Sequence, residues 1–236
     1  MNTQTVDIIK NIVTSLGVDL NISSVVVNGD GTFTLLTDCT WWLSINQFLT
    51  IDGNVYQINS FTFNTSLIVT PKVSGNVPTV GLKPIPGPQF IHGTLKMAAN
   101  EVDASLDKTI LCPFVYLYEI IKDKKNTDEE SMVERETDLR MFFLNSVDTP
   151  NWLTQDHYTY FVNPMQQMVD LFISKVNNSN LFTFNLDYEC TPLINVSENG
   201  TQEKSIFDCN LSGIELRLFA EIREDLSCSQ KCGCIK

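Results

Sequence analysis

Val6, Ile9, Val13 and Leu16 recur at the spacing of one helical face, which predicts a short amphipathic helix over residues 5–16. Thr3 or Thr5 can cap its start, and Gly17 can close its end. A helix this short is marginal alone, so its apolar stripe must dock on something. From residue 23 to residue 70 the pattern changes to strands. Val25, Val26 and Val27, then Asn28-Gly29-Asp30-Gly31, then Phe33 to Leu36, predict a hairpin whose Asn-Gly pair supplies the positive φ angles of a tight turn. A second hairpin is predicted from 48–51 and 55–58 around Asp52-Gly53, and a last strand at 66–70 is stopped by Pro71. Short strands at roughly ten-residue spacing predict a small barrel or sandwich. Trp41 and Trp42 lie between the hairpins, one expected to plug the barrel and the other to face a partner.

Residues 71–89 hold Pro71, Pro78, Pro84, Pro86 and Pro88 with Gly75, Gly81 and Gly87. Such a stretch reads as a stiff, extended connector. It divides the chain into a docking module at 1–70, the linker at 71–89, a second domain at 90–223 and a cysteine-containing tail at 224–236.

The second domain has a different pattern. Leu95, Ala98, Ala99 and Val102 predict a weak helix over 94–106, and Pro113 opens an apolar strand at 114–118. Residues 122–136 are almost wholly polar and read as a long charged loop, with a return strand at 139–144. Asn163 as N-cap and Pro164 as first residue predict a long helix, with Met165, Met168, Val169, Phe172, Ile173 and Val176 on its apolar face. Strands are predicted at 181–188 and 211–222, the latter with an alternation that Phe219 breaks, as at an interface. The expected fold class is therefore α+β: an N-terminal helix plus a small β-barrel or sandwich, then an antiparallel sheet with helices on one face.

Charge narrows the function. The chain carries 28 acidic and 16 basic residues, a net −12, and such a surface repels nucleic-acid phosphates rather than collecting them. No apolar run is long enough for a membrane span, residues 1–20 do not read as a signal peptide, and manufacture in a host cytoplasm is the expectation. The sequons at Asn21, Asn64, Asn195, Asn199 and Asn210 then reflect an Asn-rich composition. Cys39, Cys112, Cys190 and Cys209 read as thiols in a reducing compartment.

The chemistry-bearing candidates are few. His157 follows Asp156, but neighbours on an extended segment point apart, which argues against a nucleophile-orienting pair; His92 beside Gly93 reads as a turn histidine. Glu129 and Glu130 fall in the charged loop, where they would be solvated. Cys228, Cys232 and Cys234 lie close enough for a metal or a disulfide, although their spacing fits no standard zinc module. No catalytic residue, cofactor or metal is assigned. Glu134, Arg135, Asp138 and Arg140 mix signs at the base of the loop and, with Trp41, Trp42 and Phe219, are the interface candidates.

Residues 90–223 resemble the tail-completion and tail-terminator proteins of tailed bacteriophages, in the Asn- and Phe-rich style of crAss-like gut phages. The resemblance rests on Phe90-Ile91-His92-Gly93-Thr94, on Pro113-Phe114-Val115-Tyr116-Leu117-Tyr118-Glu119 and on Glu134-Arg135-Glu136-Thr137-Asp138-Leu139-Arg140. It continues through Asp156-His157-Tyr158, Asn163-Pro164-Met165 and Leu211-Ser212-Gly213-Ile214. It implies a structural virion protein rather than an enzyme: a homo-oligomeric ring at the head–tail junction, twelve-fold if docked directly on the portal. Its partners would be the portal and neighbouring tail or ring proteins, and DNA would pass transiently through an acidic channel. The N-terminal helix and barrel have no counterpart in the smallest members and look like an added docking module. The alternative is a carbohydrate- or receptor-binding tail protein in which Trp41 and Trp42 stack on sugars; a hydrolase with a cleft between the halves is a third reading.

Overall fold

The computed structural model describes residues 5–94, 96–98, 100, 113–118, 122–127, 133–146, 154–179, 181–182, 187–193 and 211–223. The first element is the expected helix, α1 (Thr5–Thr14), which buries Thr5, Ile8, Ile9, Ile12 and Val13. Its end is closed by Ser15 and Leu16, whose amides donate to Ile12 and Val13 carbonyls at 3.0 Å. Gly17 is not left-handed, as a glycine cap would be. It is needed for space: a Cβ there would lie 3.0 Å from the Ile85 carbonyl oxygen.

The first sheet contains β1 (Val18–Val27), β2 (Phe33–Thr37), β3 (Phe48–Ile51), β4 (Asn54–Thr62), β5 (Ser66–Pro71) and β6 (Gly81–Ile85). Its strands run in the order β3-β4-β5-β2-β1-β6 with antiparallel neighbours. The end strands β3 and β6 approach each other, so the sheet is a nearly closed, barrel-like structure. Leu20, Ile22, Leu35, Leu49, Tyr56, Ile58, Leu67 and Val69 fill it. Both predicted hairpins form, with Val25 opposite Leu35 and Leu49 opposite Tyr56. In the second, Asp52 (φ 52°) and Gly53 (φ 79°) are both left-handed, as a two-residue hairpin turn demands. In the first, the left-handed residue is Gly31 (φ 83°) and not the Asn28-Gly29 pair. Asp30 takes the amide of Thr32 on its side chain there, which closes the loop without a primed turn.

The Pro/Gly-rich stretch is more than a connector. Gly81–Ile85 within it is β6, paired with residues 18–22 of β1. Pro84 is tolerated because β6 is an edge strand.

The second sheet contains β7 (Gln89–Gly93), β8 (Phe114–Tyr118), β9 (Lys122–Thr127), β10 (Val133–Ser146), β11 (Asp187–Leu193) and β12 (Leu211–Arg223). Its order is β11-β12-β10-β8-β7, with β9 also paired to β10. Three features correct the expectation of a purely antiparallel sheet with helices on one face. First, β7 and β8 are parallel, which requires a crossover, and residues 96–98 and 100 in that connection are helical. Second, this crossover covers the other face of the sheet: Ala98 is buried with Phe114, Tyr116, Phe142, Leu144 and Leu211. Leu95, Ala99 and Val102, expected on the same helical side, lie outside the described residues.

Third, the stretch read as a charged loop includes the β9–β10 hairpin. Its register sets Lys122 opposite Asp138 and Lys124 opposite Glu136. The ladder also sets Lys125 opposite Arg135, so the strand is defined by backbone pairing that no apolar alternation announces. Of the strand expected at 181–188, residues 183–186 lie outside the described residues, and β11 is described from Asp187. It carries Pro192 at the sheet's edge.

The long helix also differs from its expected start. Asn163 is helical (φ −62°, ψ −47°) and caps nothing; its amide donates to the Tyr158 carbonyl, five residues back. The helix runs through α2 (Thr154–His157), a π turn (Tyr158–Val162) and α3 (Asn163–Asn178). Pro164 has no N–H to give the preceding turn, and a π turn absorbs that loss without ending the helix. The predicted apolar face is the one α3 buries: Met165, Met168, Val169, Phe172, Ile173 and Val176. Each such side chain contributes about 1.5–3 kcal/mol by leaving water. Phe172 meets Phe143 of β10 edge-on at 5.6 Å, while Tyr160 meets Phe61 of the barrel at 5.5 Å. Asn145 of β10 donates to the Ser44 hydroxyl of the barrel. One continuous core therefore spans both halves.

Candidate functional site

The two faces of β10 and β12 differ in chemistry. Leu139, Met141 and Phe143, with Ile214, Leu216, Leu218 and Ala220, are buried in the core shared with α3. The alternate positions Asp138, Arg140 and Phe142, with Glu215, Arg217 and Phe219, form the outer face, on which Phe142 is itself buried with the Ala98 cluster. The register places Asp138 opposite Phe219, Arg140 opposite Arg217 and Phe142 opposite Glu215. Two arginines directly across a ladder repel. Glu215 resolves the conflict, because its Oε1 accepts from Arg140 Nε at 2.6 Å and from Arg217 Nε at 2.9 Å.

Glu215 is nearly covered, with its side chain 8% exposed, while those of Arg140 and Arg217 are 42% and 51% exposed. Burial pushes the Glu215 carboxyl up. The hydrogen bonds and charges of Arg140 and Arg217 outweigh it, so the net direction is below the ordinary glutamate range. The group is therefore a fixed anion near neutrality, not a proton carrier. The Arg140 guanidinium also lies over the rings of Phe142 at 5.1 Å and Tyr118 at 5.8 Å, within cation–π range. Phe219 is about half exposed beside this cluster. A rigid pair of strands thus presents arginine and aromatic side chains together, the combination enriched among interface anchors.

Among the predicted interface residues, the structure brings Asp138, Arg140 and Phe219 together. Glu134 falls in the register set of Asp138 and Arg140, paired with Arg223 on one side and Asn126 on the other; Arg135 falls in the opposite set, with Thr137 and Leu139. Sequence reading missed Glu215 and Arg217 as partners. Their alternation with leucine and isoleucine marked them only as outward-facing, and finding them required the β10–β12 register.

Trp41 and Trp42 lie in the barrel and do not form a paired exposed platform. Trp42 is buried and donates its indole N–H to the Leu16 carbonyl at 3.2 Å, which corrects its place among the interface candidates: it is the plug. Trp41 is half-buried, with its indole N–H on the Asp19 carbonyl at 3.1 Å. A shallow cleft of about 100 Å³ opens beside Trp42 at the barrel seam, lined by Phe48, Leu49, Ile85, Pro86 and Pro88 among others.

Asp156 and His157 lie on α2, a helix rather than the extended segment expected. The His157 ring stacks on Phe161 at 5.2 Å, and burial pushes its pKa down. His92 sits in strand β7, opposite Leu117, and not in a turn. Cys39 and Cys190 are half-buried free thiols, and burial, followed by the charge of Asp170, raises that of Cys190. Cys228, Cys232 and Cys234 lie outside the described residues, as do Glu129 and Glu130. Among the described residues no helix is long and apolar enough to cross a membrane. Comparison of the chain with protein-family models, with curated proteins and with solved structures finds no match in any of the three.

Proposed function

We propose that the chain is a structural protein of a tailed-phage particle, assembling with copies of itself into a ring at the portal–tail junction. The observation that carries this reading is the Arg140–Glu215–Arg217 cluster, with Tyr118 and the half-exposed Phe219 beside it and Arg140 seated over the buried Phe142 ring, an anchor-like surface built on paired strands. The resemblance of residues 90–223 to tail-completion proteins supplies the location. The ring is twelve-fold where it docks directly on the portal, it seals the joint, and it leaves a channel. An acidic chain, net −12, suits a conduit in which DNA must slide during ejection, since few cations are present to hold phosphates.

The test is assembly on portal rings, read by native mass spectrometry and negative-stain electron microscopy. Rings of more than two copies, alone or on the portal, are expected. Arg217→Ala combined with Phe219→Ala should abolish them while leaving the fold intact. A protein that stays at or below a dimer and ignores portal rings overturns the reading.

A further inference from the structure

β1 is ten residues long, but its neighbour β6 covers only half of it. The β1–β6 ladder runs from Val18 opposite Ile85 to Ile22 opposite Gly81 and stops. Beyond that point, residues 24–27 pair only with β2, as Ser24–Leu36, Val25–Leu35, Val26–Thr34 and Val27–Phe33. Among the described residues no strand pairs their other edge. An antiparallel strand bonded on one side directs alternate N–H and C=O groups to the free side.

The structure shows why the chain leaves this edge open. Gly81 has φ +110°, a conformation that turns the residues before it off the line of β6. Those residues are then held across the barrel seam. Thr79 donates its hydroxyl proton to Asp52 in the β3–β4 turn, and Lys83 Nζ reaches both Asp52, at 2.8 Å, and Thr79, at 2.6 Å. Asn76 donates to Asn54 at 2.7 Å on the same turn. The chain that could have extended β6 along residues 24–27 is thus tied to the opposite side of the seam.

Natural proteins guard such edges with lysine, proline or a bulge. Here the bulge falls between Ile22 and Ser24, upstream of the open stretch, and the open stretch is Ser-Val-Val-Val. Val26 and Val27 are 49% and 65% exposed. The surroundings are also poor in charge. Asp19, Asp30, Asp38, Asp52, Lys72 and Lys83 are the only charged residues of 17–93, so this region carries −2 of the chain's −12. Most of the chain's negative charge therefore lies outside the barrel, so a second copy meets the least charge repulsion at this edge.

We infer that residues 24–27 of β1 are a homodimer contact: the open edge pairs antiparallel with the same edge of a second copy, continuing the sheet from one barrel into the next. The contact is isologous, and identical uncharged valines meet across the two-fold axis. It lies on the first half of the chain, away from the outer face of the second sheet. It therefore stands whether or not the protein joins a portal.

The experiment is native mass spectrometry and sedimentation equilibrium of the full chain over a concentration series, with Val26→Lys and Val27→Lys as variants. Val26 is about half exposed and Val27 more so, so circular dichroism and thermal melting should match the parent. A dimer is expected, with its dissociation constant raised roughly tenfold or more by either lysine and with amides of 24–27 protected from hydrogen exchange only at concentrations where the dimer forms. Arg217→Ala with Phe219→Ala should leave this dimer unchanged, which separates it from the proposed ring contact. A wild-type protein that stays monomeric at high micromolar concentration overturns the inference, as does a dimer that both lysine variants leave intact.

Discussion

Glu215→Gln isolates the charge that holds two facing arginines together. Glutamine keeps the shape and one acceptor oxygen but leaves Arg140 and Arg217 opposed across the ladder without a counter-ion. A hydrogen bond to a charged group contributes about 1.5–3 kcal/mol when sheltered. Both guanidiniums are close to half exposed, so water and salt screen the loss. The expected cost is about 1–2 kcal/mol in total. For a chain of this size that corresponds to a fall in Tm of about 2–8 °C.

The assay is urea and thermal unfolding of wild type and variant across pH. Glu215 has a folded pKa depressed from the ordinary value of 4.5. Its stabilisation is therefore fully present above that value and is lost as the pH falls through the folded one. The gap between the two proteins should be widest near neutrality and should close in acid. Arg217→Gln added to Glu215→Gln should cost less than the sum of the two alone, because the pair shares one interaction. A variant within about 0.3 kcal/mol of wild type at pH 7, inside ordinary additivity error, refutes the assignment of Glu215 as the residue that reconciles the two arginines.

Three further substitutions test other parts of the structure. Tyr56→Phe should leave stability unchanged or raise it, because the Tyr56 hydroxyl is buried with no hydrogen-bond partner among the described residues and its removal ends a desolvation cost; a loss above about 1 kcal/mol, the net worth of a satisfied bond, contradicts this. Gly213→Ala should destabilise by about 3 kcal/mol in a denaturant melt, because a Cβ there would strike the Phe143 backbone carbonyl; wild-type stability contradicts the close approach of β10 and β12. Asp52→Asn should speed hydrogen exchange in Gly81–Ile85, which Asp52 ties to the β3–β4 turn through Lys83. Hydrogen bonds from Lys83 and then Thr79 hold the Asp52 carboxyl below its ordinary 3.8, so wild-type protection should persist above that value and fade as the pH drops through the folded one. Equal exchange in both proteins contradicts the latch.

The barrel half was the more legible in the sequence, for physical reasons. Its hairpins are set by local signals, Asp52-Gly53 above all, and its strands alternate because one face is buried. The second sheet hid what depended on distant residues. Lys122 to Thr127 looked like a loop because the segment is polar throughout, and its strand shows only in the backbone pairing with distant β10. Asn163-Pro164 looked like a helix start, yet a π turn carries the helix through the proline. The site was half visible: Asp138, Arg140 and Phe219 stood out in composition, whereas Glu215 and Arg217 acquired meaning only from the register. Trp42 illustrates the reverse case, an aromatic residue suggestive of binding that is core.

The most direct test of the central claim is native mass spectrometry of the purified full chain, alone and mixed with portal rings. The account predicts a closed ring of more than two copies, twelve when bound to the portal, lost on combining Arg217→Ala with Phe219→Ala. A protein that never exceeds a dimer in either condition and shows no association with the portal contradicts it.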